Sequence, residues 1–201
     1  KEKENFIYNI KYKINKNNFR ENRYFKKDNN LNLEEVAFFG SSLVFGWGLD
    51  DNETLPYLFK KQNINYYVYN FGINGGAINQ TLHLINKKPD FLKKNNIIVT
   101  GPYQLGRISC DRDYSFNVPI FEFKNETLQH AGYCNFINLN FQLPRILGSI
   151  INRSKLKQRI SRVITREKHE DTLKIYLHII KKINIISNNN SKNLIIGYVG
   201  N

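Results

Sequence analysis

The segment Val36-Ala37-Phe38-Phe39-Gly40-Ser41-Ser42-Leu43-Val44-Phe45-Gly46-Trp47-Gly48 passes from four consecutive apolar residues to a glycine, two serines and a short apolar turn. A short apolar run bounded by glycine is what a strand buried on both faces of a parallel sheet requires. A serine that directly follows such a strand and opens a helix sits on a tight turn, with its hydroxyl exposed and its own N–H facing the site. Gly40 lets that turn form.

The rest of the chain repeats the alternation. Tyr66 to Phe71, Ile97 to Thr100 and Leu194 to Val199 are further short apolar or aromatic runs that read as buried parallel strands. Ile10, Tyr12 and Ile14 alternate with Lys and Asn, as in a half-exposed N-terminal edge strand. Helical patterns fall at about Thr54 to Lys61, Ala77 to Lys87 and Thr172 to Ile185, with a basic amphipathic helix before the last of these. Strand and helix in alternation imply an α/β layer architecture, a central parallel sheet flanked by helices. Function in such sheets gathers at the carboxyl ends of the strands, which directs attention to the loops after Phe39, Phe71 and Thr100.

The 201 residues suffice for one domain with a real core, and 41% hydrophobic and 13% aromatic residues exclude a wholly disordered chain. No apolar run approaches the roughly 18 to 20 residues of a membrane span. The chain starts at Lys1 and contains no Met, so a piece of a longer product is expected. Cys110 and Cys134 form neither a disulfide framework nor a metal-ligand spacing, and free thiols are expected.

Thirty basic against seventeen acidic residues give a net charge of +13. Much of it lies in Lys1 to Lys27 and in Arg145, Arg153, Lys155, Lys157, Arg159, Arg162, Arg166 and Lys168. The second set lies along the basic helix, where Leu143, Ile146, Leu147, Ile150, Leu156, Ile160 and Val163 recur at helical steps. The plain reading is a solvated face over an apolar stripe; the sharper one is contact between residues 145–168 and an anionic polymer or membrane surface. No nucleic-acid motif accompanies the charge, and a nucleic-acid partner is not expected.

The second loop, Asn70-Phe71-Gly72-Ile73-Asn74-Gly75-Gly76, can set the N–H of Gly72 beside Ser42. Two amides aimed at one point make an oxyanion hole, which the developing charge of an acyl-transfer transition state requires. Nucleotide motifs fail on spacing: there is no Gly-Lys-Ser/Thr, and neither glycine cluster has the three-glycine dinucleotide pattern. No cofactor and no metal are expected.

These residues resemble the SGNH or GDSL-like hydrolases. Phe39-Gly40-Ser41-Ser42, Phe45-Gly46-Trp47-Gly48, Asp51-Asn52-Glu53-Thr54-Leu55-Pro56 and Val68-Tyr69-Asn70-Phe71-Gly72 look like that family's nucleophile block, first helix and second glycine block in order. Ile14-Asn15 and Asn18-Phe19-Arg20 resemble the lead-in of members that handle carbohydrate esters. The resemblance implies a flavodoxin-like three-layer fold, with residues 1–30 as a lead-in and 31–201 as a hydrolase-like domain lacking its C-terminal part. It implies Ser42 as nucleophile, with the amides of Ser42 and Gly72 as oxyanion donors. The implied reaction removes a small acyl group, acetyl for instance, from a carbohydrate ester through an acyl-enzyme. The alternatives are an O-acyltransferase on cell-surface polysaccharide and an inactive hydrolase-like module that binds anionic glycans or membranes. A cell-envelope or extracytoplasmic setting is favoured over a cytoplasmic one.

Three departures accompany the resemblance. Ser41 stands where the family has Asp. The third block, normally Gly-x-Asn-Asp, is Gly101-Pro102-Tyr103-Gln104, in which Gln104 offers an amide donor on a longer stem, while Arg107 and Asn74 are the expected substrate-binding side chains. The family's Asp-x-x-His is absent, and its dyad is expected beyond Asn201; His83, His130, His169 and His178 read as surface or packing histidines, none placed at a strand's carboxyl end.

Overall fold

The computed structural model describes residues 9–22, 32–109, 117–134 and 155–200, with side chains in the last stretch described from residue 171. In chain order the elements are β1 (Glu34–Gly40), α1 (Ser42–Phe45), α2 (Leu55–Gln62), β2 (Tyr66–Gly72), α3 (Ile78–Lys87), β3 (Asn95–Thr100), α4 (Leu105–Ile108), β4 (Pro119–Lys124), β5 (Thr127–Tyr133), α5 (Lys155–Asn189) and β6 (Asn193–Tyr198). Four strands make one parallel sheet in the order β2-β1-β3-β6, and β4 and β5 pair as an antiparallel hairpin.

Successive side chains of a strand point to opposite faces, and β1 buries both. Ala37 and Phe39 face a core that includes Phe71, Ile98, the α3 residues Ile78, Leu82 and Ile85, and the α5 residues Tyr176, Ile179 and Ile183. Val36 and Phe38 face the other way, onto Val68, Val99, Val44 of α1 and Phe59 of α2. Phe38 and Phe39 are 2% and 0% exposed, and burial of such side chains stabilises by about 1.5–3 kcal/mol each. The protein is therefore an α/β three-layer sandwich with a central parallel sheet, as its alternating pattern predicts. Among the described residues no helix is long and apolar enough to cross a membrane.

Local chemistry sets the helix starts. Thr54 caps α2, its hydroxyl accepting from the Tyr57 amide at 3.4 Å, with Pro56 in the first turn. The Ala77 amide donates to the Gln80 side chain at 2.9 Å where α3 begins.

The structure departs from the sequence reading in four places. The lead-in holds no strand among its described residues: Ile14 makes a single antiparallel bridge to Arg20, and the chain turns back through Asn18, whose φ is 64°. The basic pattern and Thr172 to Ile185 belong to one helix of 35 residues, because no glycine or proline interrupts Lys155–Asn189. The charged surface assigned to 145–168 lies outside the described residues and side chains. The β4–β5 hairpin occupies a stretch that reads as irregular. Finally, Cys134 is disulfide-bonded, and Cys110 is the chain's only other cysteine, so the free-thiol expectation is overturned.

β2 is one edge of the sheet among the described residues, and β6 is the other. Ile195, Tyr198 and Val199 remain exposed there.

Candidate active site

Ser42 stands on the first turn of α1, immediately beyond the carboxyl end of β1. Ser41 is fully buried and its carbonyl accepts from the amides of Val44 and Phe45 at 3.1 and 2.9 Å. The Ser42 carbonyl accepts from Gly46 and Trp47 at 2.8 and 3.1 Å. Gly46 then ends the helix in the left-handed region at φ 78°, where a Cβ would also lie 2.5 Å from the Thr54 methyl. The amides of Ser42 and Leu43 donate to no described acceptor, as expected at a helix start. The Ser42 side chain is half-buried, and its hydroxyl has no hydrogen-bond partner among the described residues.

What fixes this loop is a buried cation that the sequence offers only as part of a resemblance. Arg20 is 3% exposed, and its Nε and Nη2 donate to Asp51 Oδ1 at 3.1 and 2.7 Å. Its Nη1 donates to the carbonyls of Phe45 and Gly46 at 3.2 and 2.6 Å, and Nη2 also to that of Leu49 at 2.8 Å. A guanidinium is suited to this role because its planar donors reach several fixed acceptors at once while the charge is neutralised by one carboxylate. The Phe45 carbonyl is one that the end of a one-turn helix leaves unsatisfied, while that of Gly46 also accepts from the Leu49 amide at 3.1 Å. Asp51, in a run that looks like an ordinary acidic turn, gives no signal of this partnership.

The second loop lies beside the first but uses Gly72 differently from the expectation. Gly72 pairs in register with Gly40, and a Cβ on it would lie 2.3 Å from the Phe45 nitrogen and 2.7 Å from the Val44 carbonyl carbon. The sequence needs glycine here because β2 and the end of α1 meet backbone to backbone. The Gly72 amide donates to Asn70 Oδ1 at 2.9 Å, while Asn70 Nδ2 donates to the Val44 carbonyl at 3.0 Å. That amide is occupied in tying β2 to α1. In the next turn Gly76 donates to the Ile73 carbonyl at 2.8 Å, Gly75 has φ 70°, and the amides of Asn74 and Gly75 donate to no described acceptor. The Asn-Gly pair at the turn's centre is the sequence signal that could have pointed there. The Asn74 residue is exposed.

The third loop contributes a buried polar cluster. Gln104 is 1% exposed, its Nε2 donates to the Tyr103 hydroxyl at 3.2 Å, and its Oε1 is buried without a partner. The Ser41 hydroxyl donates to the same Tyr103 oxygen at 3.2 Å. Ser41, in place of an acid, thus joins the first loop to the third through Tyr103, a residue that no sequence pattern singles out. The Arg107 guanidinium donates to the Gly76 carbonyl at 2.6 Å and lies 5.6 Å from the Tyr103 ring, so it braces the second loop against the third. Beneath them the Thr100 and Tyr176 hydroxyls are 2.9 Å apart, and burial pushes the Tyr176 phenol above its ordinary pKa.

The described histidines lie elsewhere. His83 on α3 meets His130 and Tyr133 of the hairpin, with ring centroids 4.9 and 5.5 Å away and the Tyr133 hydroxyl 3.0 Å from His83 Nε2. Burial, and then the charges of Lys87 and His130, hold the His83 imidazole below its usual pKa. His178 Nδ1 lies 2.9 Å from the carbonyl of Lys174 on its own helix. No described imidazole or carboxylate contacts the Ser42 hydroxyl, and the His169 side chain is outside the described set. Among the described residues no three His, Cys, Asp or Glu side chains gather as a metal set.

No family model and no curated protein matches the chain. Among solved structures it is similar to AlinE4, an SGNH-hydrolase family esterase, at 27% identity and a TM-score of 0.33. Two single-substitution variants of that esterase, one with an aspartate and one with a serine replaced by alanine, match at 27% and 26% with the same TM-score. Each match covers 37% of this chain and 43% of the other. The chain therefore spans less than half the length of the esterase it matches.

Proposed function

We propose that this chain carries the nucleophile and anion-stabilising part of a serine ester hydrolase of SGNH type. The observation that carries the reading is Ser42 itself, a half-buried residue whose hydroxyl has no described partner, on a braced turn where three parallel strands end. Ser42 would attack the ester carbonyl, forming the Ser42 Oγ–acyl bond as the alcohol leaves with a proton, and water would then return the acyl group as an acid. The amides of Ser42 and Gly75 are assigned as oxyanion donors, with the Gln104 carboxamide as a third group held by Tyr103. A base must accept the serine proton, and that base is assigned to a group outside the described residues.

The expected substrate is a small acyl ester on a carbohydrate, with water as acceptor in an esterase and a sugar hydroxyl in an acyltransferase. The disulfide at Cys134 supports an oxidising, extracytoplasmic setting. The non-catalytic reading, a binding module on a hydrolase scaffold, is favoured by the engagement of the Gly72 amide with Asn70 Oδ1.

One experiment separates them. The full natural protein treated with a fluorophosphonate probe should label once, Ser41→Ala should keep the label, and Ser42→Ala should lose it. A label that survives Ser42→Ala, or no label at all, overturns the nucleophile assignment.

A further inference from the structure

The loop that carries Ser42 also presents an exposed indole. Trp47 is 51% exposed, with Leu43 at 46% and Leu49 at 38% on the same loop. The Tyr12 ring lies 5.8 Å from it at an interplanar angle of 33°, so the two rings make one shallow aromatic shelf rather than an edge contact. The shelf is firmly held. The Gly48 amide donates to the Tyr12 hydroxyl at 2.7 Å, the Arg20 guanidinium lies 4.6 Å from the Tyr12 ring, and that same guanidinium grips the carbonyls on either side of Trp47. Buried charge thus fixes a large apolar side chain in water, where folding gains little from its exposed part. Rigid display of this kind lowers the ordering cost of binding a ligand.

The surroundings indicate which ligand. A long acyl chain requires an enclosed apolar groove. The cavity that Arg20 also lines is about 180 Å³, too small for a long acyl chain, and mixes Glu21, Asn22 and Asn70 with Val68 and Phe71. A flat, open, aromatic surface with a polar rim suits the C–H face of a pyranose ring, whose hydroxyls stay in contact with water. The Trp47 amide donates to the Ser42 carbonyl at 3.1 Å, so the turn after α1 folds the indole-bearing residue back beside the serine. We propose that Trp47 and Tyr12 form a stacking shelf for a pyranose unit of the substrate beside Ser42. As part of a substrate site the shelf rests on the Ser42 reading; as a carbohydrate site it does not.

Trp47 is the only tryptophan in these 201 residues, and in the full protein the emission change that disappears in Trp47→Phe is the one that reports on this shelf. The test titrates the full protein, and its Ser42→Ala variant, with xylohexaose, cellohexaose and chitohexaose, and separately with decanoate. At least one hexasaccharide should give a saturable change in emission in both proteins, about tenfold weaker in Tyr12→Ala. Calorimetry should show that binding lost in Trp47→Ala and partly kept in Trp47→Phe. No saturable change with any hexasaccharide to about 10 mM, well above the weak-binding range, overturns the shelf. A response to decanoate alone, or sugar binding untouched by Trp47→Ala, does the same. Sugar binding without fluorophosphonate labelling would sink only the Ser42 assignment; labelling without sugar binding would sink only the shelf.

Discussion

Arg20–Asp51 and Lys94–Glu34 are both simple ion pairs, yet they do opposite kinds of work. Side-chain exposures are 1% and 0% in the first pair and 61% and 45% in the second. At the surface, water already solvates both ions, and the contact adds little beyond depressing the Glu34 pKa and raising that of Lys94, each chiefly through their shared hydrogen bond. Under the Ser42 loop the ions have left water, so every donor of the guanidinium must find a fixed acceptor, and those acceptors are the backbone of the loop itself. Burial turns a contact of little consequence into a device that dictates backbone position.

The sharpest way to break this contrast is Arg20→Ala, which strands the Asp51 carboxylate and should cost about 3–5 kcal/mol in denaturant unfolding. Lys94→Gln should leave the midpoint within experimental scatter. Equal effects would refute the distinction. Cys134→Ser comes next: removing the disulfide at the end of the hairpin should cost roughly 3 kcal/mol, read as a lower unfolding midpoint that reductant reproduces in the parent protein. Gly72→Ala follows at about 1–3 kcal/mol, because a methyl 2.3 Å from the Phe45 nitrogen must push β2 and α1 apart. It should also slow fluorophosphonate labelling of Ser42, which α1 carries.

The smallest effect belongs to the half-open His83 cluster. His83 binds its proton less readily folded than unfolded, so its contribution to stability is full above its ordinary value of 6.5 and fades as pH falls through the lowered value. Melting temperatures taken downward from about pH 7 to about pH 5 should therefore decline, and less steeply in His83→Gln. Equal slopes would show that the hairpin contact is indifferent to this proton.

The same contrast explains what can be read from the chain. β1 and the Ser42 turn are legible because Val36 to Phe39 followed by Gly40 is a local pattern with a local cause. The hairpin is hidden because its turn residues, Asn125 and Glu126, take φ of 49° and 62° without the glycine that usually announces such a turn. Spacing marks Gly72 as a place where backbone must come close, but it does not tell that the approaching backbone is α1 instead of a substrate. Arg20–Asp51, Ser41–Tyr103 and the disulfide at Cys134 depend on contacts made only in the completed fold, so no window along the sequence announces them.

β6 also bears on handling. A parallel edge that no described strand covers, with Ile195 and Tyr198 exposed, is a surface to which another copy of these 201 residues can adhere. The net charge of +13 opposes such adhesion only while its field reaches between molecules, and at physiological ionic strength that reach shrinks to about 8 Å. Purification in dilute buffer should consequently yield dispersed protein, and concentrating it in high salt should yield turbidity.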